Sequence, residues 1–171
     1  MIRGYKCFNG DFTNRYGMKF NVGCCYKVDG DIKFGGLGNG FHMCKNLVDV
    51  FRYFDTSEDD FILCEVVGSG NFNCYDDEYN GFYNMYAVEC IEIIRIINRV
   101  EIIENVLNMD VFMLKRFIQL FRMNNNEINL FYNRFGLIDD IILAIDYYQN
   151  GNKNAYKDYY SLNKIRRKVY E

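Results

Sequence analysis

The sequence predicts an α+β protein, in which an N-terminal, antiparallel, twisted β-sheet with one packed helix precedes a C-terminal bundle of short helices. Up to about residue 99, apolar and polar residues alternate as they do in half-buried strands. Beyond that point the apolar residues recur at i, i+3 and i+4, as on the buried face of a helix. We therefore expect an α+β sheet domain over 1–99 and a helical subdomain over 100–171 that packs on it.

Composition narrows the class of protein. Half of the 171 residues are apolar, so a sizeable core is available. The net charge of −3, without a basic face, argues against direct binding of nucleic acid. The N-terminus lacks the apolar segment of a signal peptide, and no apolar stretch approaches the roughly 20 residues of a transmembrane helix. We expect a protein of the cytoplasm that makes no membrane contact and keeps its seven cysteines as free thiols.

Alternating apolar and polar positions predict four short strands in the first forty residues: 2–8, 18–22, 25–28 and 32–34. The turn signals Asn9-Gly10-Asp11 and Asp29-Gly30-Asp31 indicate that these strands form an antiparallel meander. The glycine cluster that follows, 35–40, lacks the Gly-x-Gly-x-x-Gly spacing of a nucleotide-binding loop. It therefore favours a surface loop.

The only histidine of the chain, His42, lies in a predicted buried strand, Phe41–Cys44. A helix over 46–54 follows, with Asn46 as its N-cap. His42 is either a histidine hydrogen-bonded at the sheet edge or a general base, ligand or pH switch. A zinc site built from His42, Cys44 and the Cys24-Cys25 pair would lack the spaced ligand pairs of structural zinc, so we expect no metal.

Further along, a strand over 61–67 is predicted to end at Gly68-Ser69-Gly70, before an irregular segment over 71–84 and a long strand over 86–97. The helices come next. Asp110 is the predicted N-cap of one of them, and Gly136 is the predicted C-cap of another.

Three segments together resemble an uncharacterised domain family of phages, prophages and giant viruses, over about residues 3–100. They are Gly4-Tyr5-Lys6-x-Phe8, Tyr26-x-x-Asp29-Gly30-Asp31-Ile32, and the core Gly40-Phe41-His42-x-Cys44. The resemblance implies an origin in a virus or mobile element, and therefore a place in the host cytoplasm.

A glycine-aromatic-histidine strand followed by a helix that ends in tyrosine is also similar to the middle of ADP-ribosyltransferase folds. That similarity implies that Tyr5-Lys6 lies against a nicotinamide ribose and that His42 and Tyr53 line the pocket. It also implies that a later strand glutamate, Glu65 or Glu89, orients the ribose hydroxyl. NAD would be the cofactor under this alternative only.

Tyrosines are dense in two segments, where they form either an aromatic core or a binding surface. The predicted binding residues are Tyr75, Tyr79, Phe82, Tyr83, Tyr156, Tyr159 and Tyr160. Because no complete catalytic set is visible, the predicted function is that of a small accessory protein encoded by a virus or mobile element. It would bind and inhibit a host protein, such as one of an antiviral defence system, in the manner of an anti-CRISPR protein. The alternative is an ADP-ribosyltransferase-like enzyme that modifies a host protein with NAD.

Overall fold

Five antiparallel strands make up the N-terminal part of the protein in its computed structural model. They are β1 (Ile2–Asn9), β2 (Cys25–Lys27), β3 (Phe41–Cys44), β4 (Phe61–Tyr75) and β5 (Met85–Ile97), with the one-turn helix α1 (Leu47–Val50) after β3. Several helices follow, so the predicted α+β class is confirmed. The structure describes residues 1–34, 38–54, 56, 60–75, 85–136 and 138–155.

The strand pairings close a ring. The order is β2-β5-β3-β1-β4, and β4 pairs in addition with β5. Each of four strands is therefore paired with two others in a closed cycle, β1-β3-β5-β4. β1 pairs with β4 along its whole length, whereas it pairs with β3 only at Tyr5 and Cys44. The ring is therefore continuous on one side of β1 and held by a single residue pair on the other.

Alternate positions of the ring strands supply the core of this unit, as the two-residue period of a strand requires. Its buried residues are Phe8, Phe20, Phe41, Met43, Cys64, Val66, Val88, Ile91 and Ile93. Phe20 comes from a loop and contacts the rings of Phe8 and Tyr26, each at a centroid distance of 4.7 Å. A large aromatic side chain from outside the strands thus helps to fill the ring.

The predicted N-terminal meander is wrong. β1 pairs with β3 and β4, and β2 pairs with β5. Residues 18–22 form no strand and take part in strand-like pairing only through the isolated bridge between Thr13 and Lys19, and 32–34 form no strand either. The alternating pattern was present in these segments, but the long strands β4 and β5 provide most of the pairing surface and outcompete local hairpins.

Two further boundaries differ from the prediction. Gly68-Ser69-Gly70 does not end its strand, because β4 continues to Tyr75 through a register shift between Ser69 and Phe72. Gly70, with φ of 77°, takes the left-handed conformation that such a bulge needs. In place of the predicted 46–54 helix there is the single α-helical turn of α1. After it, turns with hydrogen bonds between residues three apart extend to Tyr53.

The chain divides into the units Met1–Arg99 and Val100–Glu171. The helices are α2 (Arg99–Leu107), α3 (Val111–Leu120), α4 (Asn125–Phe135) and α5 (Asp139–Tyr148). Asp110 caps α3 by accepting the Met113 amide proton at 2.9 Å, as predicted. Gly136 is at the C-cap of α4, but in a right-handed conformation with φ of −60°. That the helical part packs on the sheet stays a prediction.

Inside the helical unit, aromatic stacking and one glutamine hold the helices together. The Phe117 ring stacks on Phe121 at 4.5 Å and on Phe131 at 6.1 Å between centroids. Gln149 donates to the carbonyls of Ile118 and Phe121 at the end of α3, and thereby satisfies groups that the helix itself leaves open. Among the described helices, none combines the length and apolar character that crossing a bilayer requires.

Candidate ligand-binding cavity

A cavity of about 560 Å³ opens where β1 and β3 separate. Beyond the Tyr5–Cys44 pair, the next residues of the two strands, Lys6–Phe8 and Phe41–Met43, are not paired with each other. All of them line the cavity, together with the loop over 14–18 and part of the loop that precedes β3. The volume lies within the usual range for small-molecule sites.

Lys6 is the basic group at the inner wall of this cavity. Its ammonium donates a hydrogen bond of 2.7 Å to the His42 backbone carbonyl and lies 5.6 Å from the centroid of the Phe8 ring. No described carboxylate forms an ion pair with it. Burial lowers the pKa of Lys6 to about 8, because water no longer fully solvates the charge.

His42 contributes a neutral ring to the same wall. It is half-buried, and the Phe34 ring meets it edge-on at 5.0 Å between centroids. Burial lowers the pKa of His42 to about 4, and the charges of Lys6 and Arg15 act in the same direction. Within the described residues the imidazole has no hydrogen-bond partner, so its nitrogens are available to a ligand.

The loop over 14–18 brings a second cation to the rim. The Asn14 side-chain oxygen accepts hydrogen bonds from the amides of Tyr16 at 2.9 Å and Met18 at 3.0 Å, which fixes a tight turn. The turn presents Arg15, whose guanidinium lies 4.7 Å above the Tyr16 ring and donates a hydrogen bond to its hydroxyl. Tyr16 is 71% exposed, so this stacked pair faces solvent at the cavity mouth.

The charge of the cavity is one-sided. Lys6 and Arg15 line it, and no aspartate or glutamate does so among the described residues. Three asparagine side chains add polar groups, and aromatic rings supply flat apolar walls. This combination suits a ligand that carries both an anionic group and a ring system.

The structure brings together part of the predicted catalytic set. His42 and Tyr53 line the same cavity, as do Tyr5 and Lys6. Glu65 does not, because it pairs with Arg95 at 2.9 Å and with Arg3 at 3.9 Å. Glu89 is likewise elsewhere, bound to Lys27 at 3.1 Å and to the Asn71 amide at 2.9 Å.

The predicted tyrosine surface lies almost wholly outside the described residues. Tyr75 is the last residue of β4, and nothing is described of its side chain. The other six positions are Tyr79, Phe82, Tyr83, Tyr156, Tyr159 and Tyr160. Inhibition of a host protein through these residues therefore stays a prediction.

Sequence reasoning did not single out Arg15 and Tyr16, and it placed Lys6 only through a resemblance. A signal for Lys6 existed. It shares strand parity with the buried Gly4 and Phe8, so a charged side chain occupies a position that faces the core. Arg15 and Tyr16 sit in an ordinary polar turn, and only the folded loop brings them to the cavity.

Two cysteines, Cys7 and Cys44, also line the cavity. Burial raises the pKa of the Cys7 thiol far above its ordinary value, so it is neither a thiolate nucleophile nor a ready metal ligand. In the described part of the chain, no three histidine, cysteine or acidic side chains are grouped closely enough to hold a metal ion.

Comparison with known proteins identifies a family that covers more than half of the chain. Residues 2–104, which include every cavity residue named above, match the family model described as a domain of unknown function, DUF7666. No curated protein and no solved structure matches the chain.

Proposed function

Because the chain belongs to the DUF7666 family, whose function is unknown, we propose a function from the cavity itself: the sheet unit binds a nucleoside phosphate or a similar small anion with a ring. The observation that carries this proposal is that Lys6 and Arg15 line the same cavity, whose described lining holds no carboxylate. Among the described residues no carboxylate pairs with either cation, so both can attract an anion, and the partial burial of Lys6 strengthens its share of that attraction.

The walls support the ring part of the ligand. Tyr5, Phe34 and Tyr53 offer aromatic faces, and Arg15 on Tyr16 forms a cation–aromatic pair at the mouth. Nucleobases stack on such groups regardless of sequence. A mononucleotide also matches the size of the cavity.

Binding is better supported than ADP-ribosyl transfer. Transfer needs a carboxylate that orients the ribose while positive charge develops, and Glu65 is held by Arg95 and Arg3 instead. The two cations would also disfavour a cationic transition state placed beside them. NAD therefore enters the proposal as one anionic ligand among several, and the enzyme remains the alternative.

Calorimetric titration tests the proposal with AMP, NAD, adenosine and inorganic phosphate on the full chain. We expect AMP to bind, and adenosine to bind at least about tenfold more weakly. Lys6→Met and Arg15→Gln should each raise the Kd of AMP by about tenfold.

Lys19→Gln is the matched control, because it removes one positive charge from an exposed residue that does not line the cavity. Equal binding of AMP and adenosine would overturn the proposal. So would AMP binding that Lys6→Met and Arg15→Gln leave unchanged, or the absence of binding by every compound in the panel.

A further inference from the structure

We propose that Lys6 is a covalent attachment site, whose amine forms an imine with an aldehyde or ketone that also carries an anionic group and a ring. The inference rests on the proposed function, because it assigns a reaction to the same cavity. Its basis is the position of Lys6 in the cavity wall and the partner that the amine has there.

That partner is a neutral carbonyl rather than a carboxylate. The hydrogen bond to the His42 carbonyl uses one N–H of Lys6 and persists when the amine loses a proton. A carboxylate partner would instead favour the ammonium. Because Lys6 is the donor of this hydrogen bond, the bond does not use the lone pair of the free amine.

The protonation state agrees with this geometry. With a pKa of about 8, roughly a tenth of Lys6 is a free amine at neutral pH, against less than about one part in a thousand for an ordinary lysine. Buried lysines of this kind are those that proteins use in imine chemistry. Besides burial, three groups affect the pKa of Lys6. Cys44 on β3 and Cys7 on β1 raise it, and the charge of Arg15 lowers it.

The other packed elements do not change this balance. On β4, Cys64 lies opposite Lys6, and burial raises its pKa to about 12, so it stays a neutral thiol. On α1, the Asp49 carboxylate accepts a hydrogen bond from Asn46 at 3.1 Å. Lys6 therefore titrates in its own range, between neutral and mildly alkaline pH.

The reaction itself needs no oxidant or cofactor. The Lys6 nitrogen lone pair attacks the carbonyl carbon, and the carbonyl oxygen takes up a proton to give a carbinolamine. The nitrogen loses one proton before and a second proton after the hydroxyl takes up another proton and leaves as water. The product is a carbon–nitrogen double bond to Lys6, and the net change is the release of one water molecule. Arg15 would hold the anionic group of the reacting compound.

Pyridoxal phosphate is a suitable probe, since it combines an aldehyde, a phosphate and a flat ring. The full chain is incubated with it, reduced with cyanoborohydride and analysed by intact mass and peptide mapping. We expect one reduced adduct, with about tenfold more label on Lys6 than on the exposed Lys19 at neutral pH. Labelling of Lys6 should level off above about pH 8, whereas that of exposed lysines continues to rise.

Two variants and one analogue give the controls. Lys6→Arg keeps the positive charge but cannot form an imine, so the dominant adduct should disappear. Arg15→Gln should lower labelling by phosphate-bearing pyridoxal by a larger factor than labelling by pyridoxal itself, because only the phosphate loses a binding partner. Pyridoxine phosphate, which has an alcohol in place of the aldehyde, should bind and compete without attachment.

The outcomes separate this inference from the proposed function. Binding of AMP and pyridoxine phosphate without preferential label on Lys6 would overturn the imine alone. Label spread evenly over exposed lysines would also overturn it. Failure of AMP and pyridoxine phosphate to bind, together with no Lys6 adduct, would overturn both.

Discussion

The Lys6 ammonium donates a 2.7 Å hydrogen bond to the backbone carbonyl of His42, across the place where β1 and β3 stop pairing. A side chain thus bridges two strands whose backbones have separated, and it does so at the wall of the cavity. The residue that would bind an anion is also a connection between the strands that form the site.

Replacing Lys6 by Met should leave the free energy of unfolding at neutral pH nearly unchanged, within about 1 kcal/mol. The variant loses the hydrogen bond to His42, but it also loses an ammonium whose burial is unfavourable. Because the pKa of Lys6 is lowered to about 8 in the folded state, the unfolded chain binds more protons between about pH 8 and 10.5. The wild type should therefore gain stability relative to Lys6→Met over that interval.

Urea denaturation at neutral pH and near pH 10 measures this difference. A loss of several kcal/mol at neutral pH in Lys6→Met would contradict the expectation, and would mean that the hydrogen bond outweighs the burial of the charge.

His42 should make the sheet unit less stable in acid. Its pKa is about 4 in the folded state and near 6.5 when unfolded, so the unfolded chain binds more protons between these values. Stability is retained above about pH 6.5 and declines as the pH falls towards 4. With allowance for the partial exposure of the ring, the decline amounts to about 1–2 kcal/mol.

His42→Gln should remove this part of the acid sensitivity. Urea denaturation of both proteins across the range isolates it, because the carboxylates contribute equally to the two curves. Parallel curves for wild type and variant would refute the assignment.

Gly4→Ala should destabilise the protein by at least about 2 kcal/mol. A Cβ at this position would lie 2.3 Å from the Cys44 carbonyl oxygen and 2.6 Å from the Met43 methyl carbon. β1 would have to move away from β3 at their only paired position. Thermal and chemical denaturation give the measurement.

Gly23→Ala is the comparison, since a Cβ there meets nothing within 4 Å and φ is 77°. It should cost only about 1 kcal/mol, from backbone strain. If Gly4→Ala were the milder of the two changes, the close approach of β1 and β3 would not be a constraint on the fold.

Glu65→Gln should leave AMP binding unchanged and lower the free energy of unfolding by less than about 1 kcal/mol. The carboxylate pairs with Arg95 and Arg3, does not line the cavity and is partly exposed. Calorimetric titration and denaturation test both statements. If the variant abolished transfer of ADP-ribose to a protein substrate, the enzyme alternative would be favoured instead.

Asn124→Ala should destabilise the helical unit by about 1 kcal/mol. The Asn124 side chain accepts the Glu127 amide proton at 3.0 Å, and the Glu127 carboxylate accepts the Asn124 amide proton at 2.8 Å. Asn125→Ala, at an exposed position one residue later, should have little effect or be slightly stabilising. Denaturation followed by circular dichroism compares the two, and equal losses would argue against the cap.

Local signals predicted the helices well and the strand pairings poorly. Asp110 and the apolar period of α3 are close together in sequence, so the cap and the buried face could be inferred directly. The partner of β1 could not, because an alternating pattern records which face is buried and not which strand lies beside it. β4 also continued past its glycines, since a bulge can accommodate residues that otherwise end a strand.

The site was predictable only in part, for a related reason. His42 and Tyr53 are near each other in sequence, and the strand–turn unit that joins them placed both at the cavity. Arg15 reaches the cavity through a turn fixed by Asn14. Glu65 lies opposite Tyr5 in the sheet but does not line the cavity. Arg95 lies opposite it on the other neighbouring strand and binds its carboxylate.

The closed ring has a consequence for the time course of folding. β1 is synthesised before the other strands, but its main pairing partner is β4. β2 likewise has no pairing partner until β5 has been synthesised. The N-terminal strands therefore have no complete set of neighbours until the chain extends almost to α2, whereas α3, α4 and α5 need only contacts near in sequence. Since distant contacts slow folding, the helical unit should fold in the faster phase and ring closure in the slower one. During synthesis, the edges of β1 and β2 would stay unpaired for as long as residues 61–97 are still inside the ribosome.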